Sequence, residues 1–160
     1  MHKIIPKAAL NLREKYEFVI VGDGGQLSKL KKKVYQLKIN NVKFLNPVSR
    51  DVLIEYYNNS DILFIHLNDY DAFKRVLPSK IFELASYKKP ILAGLSGYSK
   101  NFLNSEISHS YVFQPCNVKD MVEKISLINF EEKISRTKFI NKYNRSKINN
   151  LMAKSIIKYL

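Results

Sequence analysis

Short apolar runs alternate with helical stretches along most of the chain. Runs of this kind, with little polar alternation, are typical of strands that are covered on both faces. Between them, apolar residues recur every three or four positions, which predicts helices. Strands that alternate with helices predict parallel βαβ units, and therefore an α/β fold with a Rossmann-like parallel sheet and helices on both faces. The predicted strands are Phe18–Val21, Val42–Leu45, Ile62–Ile65, Ile91–Ala93 and Tyr111–Phe113.

The helical stretches have recognisable starting residues. An amphipathic helix is predicted from residue 4 to 16, and a Lys-rich one from residue 27 to 37. Ser49 and Asn117 have the side chains that cap helix N-termini, so each is expected to begin a helix. After Asn117 the pattern stays helical to residue 160, with interruptions near Asn129 and Asn144.

The stretch from Leu77 to Leu92 combines a loop, a short helix and a buried strand. Pro78 suits the first position of a helix, and Pro90 ends that helix. Ser79 and Lys80 stand at the helix start, where free backbone N–H groups favour an anion such as a phosphate. Glu83, one turn further, has a carboxylate that can accept hydrogen bonds from sugar hydroxyls. The combination favours a nucleoside diphosphate as ligand.

The length and net charge of the chain limit the number of domains and the kinds of partner that it can have. The 160 residues fit one domain, 1–160, in which 130–160 form C-terminal helices. A net charge of +13 favours anionic partners, whether phosphates, nucleic acid or an anionic membrane surface. The single cysteine, Cys116, excludes an internal disulfide and suits a reducing cytoplasm. Because no apolar run approaches the length of a membrane span, we expect a cytoplasmic protein, soluble or peripheral on the inner face of the membrane.

Other candidate sites receive weaker support. The three histidines have no metal-ligand spacing with Cys116, so no metal site is expected. His66 ends a strand, where it is either a substrate contact or a hydrogen-bonded histidine at the edge of the core. In Gly22–Gly25 the third glycine of a dinucleotide fingerprint would fall on Leu27, and a tight turn explains the glycines equally well. No nucleic-acid-binding motif is present, and the Lys31–Lys33 run favours a solvated helix face.

Four blocks of the sequence together resemble glycosyltransferase family 4, the group 1 glycosyl transferases. Their order and spacing match the C-terminal, donor-binding domain of the bacterial branch that builds lipopolysaccharide and capsule sugars, similar to L-fucosamine transferases. The blocks are Phe18–Gly24, Asn41–Val48, Tyr57 with Ser60–Ile62, and Pro78-Ser-Lys80 with Glu83 and Lys89-Pro-Ile91.

The resemblance implies a nucleotide-sugar site. Glu83 would bind the ribose hydroxyls of the donor, the alternative being an exposed helix residue that pairs with Lys80 or Tyr87. The backbone of the loop Asn46–Val48 would contact the base, the alternative being a loop that only ends the strand. Arg75 stands where the family's more common pattern has another Glu facing the sugar, so it is either a diphosphate contact or an exposed loop charge. The substrate-binding residues implied are Asn46, Pro47, Val48, Arg75, Pro78, Ser79, Lys80, Glu83 and Gly24.

The resemblance also implies the reaction. The family transfers a sugar from a nucleotide diphosphate sugar, here by resemblance a UDP-sugar, to a surface-polysaccharide acceptor without a metal or other cofactor. Its catalytic acceptor groups lie in an N-terminal domain, so this chain alone is expected to bind donor without turning it over. A non-catalytic nucleotide-sugar-binding subunit or an inactive remnant is the alternative, and a basic nucleic-acid-binding module is less favoured.

One strand of the family's fold is not found in this sequence. In a GT-B protein it would lie between Phe18–Val21 and Ile62–Ile65, and its loss would expose two unpaired strand edges. We therefore expect a truncated gene or fragment, or a subunit that a separately encoded N-terminal half completes.

Overall fold

Five parallel strands form the centre of the molecule, which is described at residues 4–159 by a computed structural model. The strands are β1 (Phe18–Val21), β2 (Val42–Leu45), β3 (Leu63–His66), β4 (Ile91–Gly94) and β5 (Ser110–Phe113). β1 pairs with β2, while β4 pairs with β3 on one side and β5 on the other. The predicted α/β fold with parallel strands is confirmed, and within residues 4–159 the strands form two sheets, with β1 and β3 unpaired where the resembled fold would have a further strand.

The helices follow the predicted alternation, with different lengths. Asn117 and Ser49 cap helices as predicted, since their side-chain oxygens accept backbone N–H bonds from Asp120 and Val52. The first helix is shorter than predicted, and the stretch after Asn117 divides into three helices. They are α1 (Ile5–Asn11), α2 (Leu27–Gln36), α3 (Arg50–Asn59), α4 (Lys80–Leu84), α5 (Gly97–Glu106), α6 (Val118–Ser126), α7 (Thr137–Lys142) and α8 (Arg145–Ile157), with a 3₁₀ turn at Asp71–Arg75.

β1 and β3 each have an unpaired edge on the side away from the partner strand in their own sheet. Phe18 and Gly22 donate their N–H groups toward β2, so the alternate residues Val19 and Val21 direct theirs to the opposite edge. Leu63 and Leu67 likewise donate toward β4, which leaves the other edge of β3 free. Within residues 4–159 no strand pairs with either edge. These two edges are those that the resemblance to the GT-B fold placed on either side of a further strand.

An apolar cluster on one face joins the two sheets. It contains the buried residues of α1, α2 and α6, and side chains from both sheets pack against it. Burial of these side chains is the main favourable contribution to folding at this face. The buried members are Ile4, Ile5, Ala8, Leu12, Leu30, Val34, Leu92, Phe113, Met121 and Ile125.

A second cluster covers the other face of the three-stranded sheet. It is formed by β3, β4, α4 and α5, and Phe139 of α7 completes it. The rings of Phe82, Phe102 and Tyr143 surround Phe139 at centroid distances of 4.7 to 6.5 Å. Aromatic packing therefore holds α7 against α4 and α5.

Arg136 fixes the start of α7 to the loops beneath it. Its side chain is almost fully buried, with 2% exposure. The guanidinium donates to the carbonyl and hydroxyl oxygens of Ser108 and, at 3.1 Å, to the carbonyl oxygen of Lys89. Burial lowers the pKa of Arg136 to about 10, so the group remains charged at neutral pH. One side chain thus satisfies the carbonyls that precede β4 and β5.

The start of α5 holds the 3₁₀ turn in place. Gly97 has φ +61°, and a Cβ atom there would lie 2.2 Å from the carbonyl oxygen of Lys74. The fully buried Ser99 donates its hydroxyl to the carbonyl oxygen of Val76. Only glycine permits this approach, so Gly97 determines where the segment before α4 lies.

We predict that Arg136→Met lowers the free energy of unfolding by about 3 kcal/mol, because the buried guanidinium and its three partly buried hydrogen bonds are lost. Urea unfolding followed by circular dichroism measures the change. Arg145→Met, at an exposed position of α8, is the matched control and should change stability by less than about 0.5 kcal/mol. Equal stability of the two variants would show that Arg136 does not anchor α7.

Gly97→Ala should destabilise the chain by about 2 kcal/mol, since it combines a left-handed backbone with a clash against Lys74. Hydrogen exchange in residues 71–77 should also become faster. Gly25→Ala is the control, because a Cβ at Gly25 meets no atom within 4 Å. If exchange in residues 71–77 did not change, Gly97 would have no role in placing this turn.

Candidate functional site

The predicted site residues all follow the carboxyl ends of strands. Gly24 follows β1, the loop Asn46–Val48 follows β2, and Arg75 and Pro78–Lys80 follow β3. In parallel α/β sheets, ligands bind at this edge because the loops after the strands meet there. The topology therefore puts the candidates on the side of the molecule where a ligand is expected.

Glu83 lies at the centre of a cluster of charged side chains. Its Oε2 is 3.0 Å from Nζ of Lys80, and its Oε1 is 3.7 Å from a guanidinium nitrogen of Arg50. Its side chain is 25% exposed, so the carboxylate lies at the surface and is partly sheltered. Arg50 begins α3 directly after the loop Asn46–Val48 and Ser49. The ion pair thus connects the segment predicted to contact a base with the one predicted to contact ribose and phosphate.

Two tyrosines complete this cluster. Nζ of Lys80 contacts the hydroxyl of Tyr57 and lies 5.0 Å from the centre of its ring. The rings of Tyr57 and Tyr87 are 4.9 Å apart. Burial opposes the charged form of Lys80, but the bonds to Tyr57 and Glu83 outweigh it and raise the pKa of this lysine. Burial and the nearby Glu83 carboxylate raise the pKa of Tyr87. These shifts favour the charged form of Lys80 and the neutral form of Tyr87.

Arg50, Tyr57 and Tyr87 were not among the predicted site residues. Tyr57 belongs to a block that resembles the family, and Arg50 follows a predicted helix cap, so both had a local signal. Tyr87 stands four residues after Glu83, which made it a possible partner of that carboxylate, but its contact with Tyr57 joins residues thirty positions apart.

The start of α4 differs from the phosphate site that the sequence suggested. The helix has only five residues, so its dipole is small, and the Ser79 hydroxyl makes no capping bond. Backbone bonds of 3.0 Å run from Ile81 to Pro78 and from Phe82 to Ser79. Ser79 and Lys80 are both exposed at the surface. Anion binding here would therefore depend on the hydroxyl and ammonium groups.

The remaining predicted residues are not joined to this cluster by direct contacts. Arg75 is exposed and forms no ion pair or hydrogen bond in the part of the chain that the structure describes, whereas Lys74 pairs with Asp71 at 2.7 Å. A Cβ at Gly24 would meet no atom within 4 Å. Asn46 and Pro47 are exposed, and Val48 is partly buried.

His66 is a histidine at the edge of the core. Its ring lies 6.3 Å from that of Phe64 and 6.1 Å from that of Phe113, and these two rings are 6.2 Å apart. Gly94 leaves the space for the imidazole, since a Cβ there would lie 2.4 Å from it. Its Nε2 accepts the backbone N–H of Cys116 at 3.1 Å, so the neutral ring carries its proton on Nδ1. Burial lowers the pKa of His66 to about 4.

Two surface grooves lie elsewhere on the protein. One, of about 460 Å³, runs between α1 and α6, and the other, of about 330 Å³, lies beside Asn41. Glu83 lines neither groove. Among residues 4–159, no three His, Cys, Asp or Glu side chains converge in a way that would hold a metal ion.

Comparison with known proteins shows a family to which the sequence matches and a solved structure with a similar fold. The family described as "Glycosyl transferases group 1" matches residues 2–146. The chain is similar in structure to HepE of Anabaena, solved in complex with UDP and glucose, with a TM-score of 0.76 and 17% sequence identity. The match covers 98% of this chain and 44% of the HepE chain. No curated protein matches the sequence. The chain thus has the Rossmann-like fold of half of a GT-B protein.

We predict that protonation of His66 destabilises the fold. The folded pKa of about 4 lies below the ordinary value of 6.5, so the unfolded state binds the proton more readily. The stability that the fold gains from keeping His66 neutral is fully present above pH 6.5 and is lost as the pH falls from 6.5 to about 4. Allowing for partial exposure of the ring, the loss is about 1–2 kcal/mol.

Unfolding free energies of the wild type and His66→Gln at pH 7.5 and 4.5 would test this, since other groups titrate equally in both proteins. The glutamine keeps an acceptor for Cys116. An identical pH dependence of the two proteins would contradict the prediction.

Proposed function

This chain belongs to the group 1 glycosyl transferases, and on that premise we propose that it is the donor-binding half of an enzyme that transfers a sugar from a nucleotide diphosphate sugar. We further propose a UDP-sugar as donor and a bacterial surface polysaccharide, such as lipopolysaccharide or capsule, as the destination of the sugar. The observation that carries the proposal is the cluster around Glu83. It combines a carboxylate, two cations and two tyrosine side chains, and Arg50 and Lys80 begin the helices that follow β2 and β3.

Glu83 is the residue that we assign to the ribose. A carboxylate that is 25% exposed can accept hydrogen bonds from two adjacent hydroxyls, and its ion pairs with Arg50 and Lys80 orient it. The structural similarity to HepE, which was solved with UDP and glucose, supports a nucleotide-sugar ligand.

The cations beside Glu83 suit the charge that develops during the reaction. Breaking the bond between sugar and diphosphate leaves a nucleoside diphosphate anion, which nearby positive groups stabilise. Lys80 and the hydroxyl of Ser79 stand one turn before Glu83, and Arg75 extends from the preceding turn. We propose that Lys80 exchanges part of its contact with Tyr57 and Glu83 for the donor phosphates. The proposed sugar transfer uses no metal ion.

Transfer would require an acceptor domain supplied in addition to these residues. Two observations support this part of the proposal. The chain spans less than half the length of HepE, at 44%. The free edges of β1 and β3 also leave backbone groups available for a further parallel strand. We propose that an N-terminal glycosyltransferase half completes the sheet and the active site.

We predict that the chain binds UDP and that Glu83→Ala weakens this binding about ten-fold or more, because charge-assisted hydrogen bonds contribute roughly 1.5–3 kcal/mol each. Isothermal calorimetry with UDP and UDP-glucose measures the affinity. Glu55→Ala, which removes an exposed carboxylate of α3, is the charge-matched control and should bind as the wild type does.

The affinities for deoxynucleotides would show whether Glu83 contacts the ribose hydroxyls. If Glu83 binds ribose hydroxyls, the wild type should bind 2′-deoxy- or 3′-deoxy-UDP more weakly than UDP, and Glu83→Ala should not distinguish them. If Glu83 only pairs with Arg50 and Lys80, its removal frees two cations, and UDP should bind as well or better. That result would refute the ribose assignment.

A folded wild-type chain that binds no UDP species would refute the donor-binding proposal altogether. It would favour an inactive remnant of the family. Binding of UDP-glucose that never leads to transfer after a complementary N-terminal half is added would instead favour a non-catalytic subunit.

A further inference from the structure

The side chain of Tyr57 is held at its ring and carries its polar group at the free end. Its ring packs against the second apolar cluster, as does the ring of Tyr87, and the two ring centres are 4.9 Å apart. The hydroxyl accepts a hydrogen bond from Nζ of Lys80 in the candidate site. A tyrosine has only two side-chain torsions, so the contacts of the ring determine where the hydroxyl lies.

The side chain of Lys80 is held only at its charged end. It is 45% exposed, and its ammonium stands on a flexible four-carbon stem. A ligand that binds such a group has to order it, unless the protein has already done so. In this chain the ammonium has two partners, the hydroxyl of Tyr57 and, at 3.0 Å, Oε2 of Glu83.

The ammonium of Lys80 retains one hydrogen-bond donor for a ligand. An ammonium has three N–H groups, and Tyr57 and Glu83 accept from two of them. Within residues 4–159 the third N–H has no hydrogen-bond partner. A phosphate oxygen is a suitable acceptor, because hydrogen bonds between charged groups are the strong ones. The two bonds within the chain also restrict the direction of the third.

Donor binding would affect the two partners of Lys80 differently. Under the proposed function Glu83 binds the ribose hydroxyls, so its bond to Lys80 weakens when the donor is present. The Tyr57 hydroxyl is assigned to no ligand group and can hold the ammonium throughout. The ordinary pKa of a lysine is 10.5, and burial of Lys80 is outweighed by the bonds that raise its pKa. At neutral pH the Tyr57 hydroxyl therefore affects the position of the ammonium more than its charge.

We propose that Tyr57 is a positioning residue of the donor site. Its hydroxyl holds the Lys80 ammonium beside Glu83, so that the free N–H binds a phosphate oxygen of the donor while Glu83 binds the ribose. This inference rests on the proposed donor site and extends it to a residue that does not contact the donor. The alternative is that the bond between Tyr57 and Lys80 only packs α3 against α4.

The mobility of the Lys80 ammonium in the free chain tests the first step. Tyr57→Phe removes the hydroxyl and keeps the packed ring, so the variant should fold. NMR relaxation of the ammonium nitrogen should then show increased motion of Lys80. Tyr56→Phe is the matched control, because it removes a hydroxyl of the same helix that forms no hydrogen bond within residues 4–159. Unchanged mobility of Lys80 in Tyr57→Phe would overturn the proposal.

The affinities for UDP and uridine test the second step. Calorimetry should show a Kd for UDP about fivefold higher in Tyr57→Phe than in the wild type, because the phosphates must then order the lysine. Titration with uridine, which has no phosphate, should show equal affinities by NMR. In a chain that already carries Lys80→Met, Tyr57→Phe should change the Kd for UDP by less than about twofold, since both residues act through one contact.

Other outcomes would contradict this role of Tyr57. Equal weakening of UDP and uridine binding, or additive effects of Tyr57→Phe and Lys80→Met, would show that Tyr57 acts only through the packing of α3 and α4. If Tyr57→Phe bound UDP as tightly as the wild type does, the donor site would stand and Tyr57 would have no part in it. A wild type that binds no UDP would refute the donor site, and this inference with it.

Discussion

The relative position of the two sheets depends on one apolar cluster. In residues 4–159, β1 and β3 make no ladder with each other, so no backbone hydrogen bonds fix the distance between the sheets. Side chains must do so, and the buried residues of α1 contact α2 and α6 at this junction. Because apolar packing is non-directional, it holds the sheets together without specifying strand pairing. This explains how the fold of half a GT-B protein persists with two free strand edges.

The candidate site depends on the same arrangement. Arg50 comes from the helix that follows the two-stranded sheet, whereas Glu83 and Lys80 come from the helix that follows β3. The Arg50–Glu83 ion pair therefore crosses from one sheet to the other, whereas the Lys80–Glu83 pair lies within α4, so the complete cluster exists only while the sheets keep their relative position. Exposed ion pairs are too weak to impose that position by themselves. The apolar cluster and the loop anchored by Gly97 have to place the charged groups first.

The sequence alone determined the elements whose signals are local. Phe18–Val21 and Val42–Leu45 form strands at the predicted residues because a short apolar run is compatible with little else between helices. Ser49 and Asn117 cap helices because the capping bond spans only three residues. The blocks from Phe18 to Ile91 indicated the family for the same reason, since their order and spacing are read along the chain.

Only the tertiary structure decided features that join distant residues. It brought Arg50 to Glu83 and placed Arg136 beneath the loops at Ser108 and Lys89. It also shows why glycine stands at positions 94 and 97. Atoms of His66 and Lys74, more than twenty residues away in the sequence, leave no room there for a Cβ. Such contacts have no periodicity in the sequence. They follow from how apolar faces pack, and packing depends on the whole chain at once.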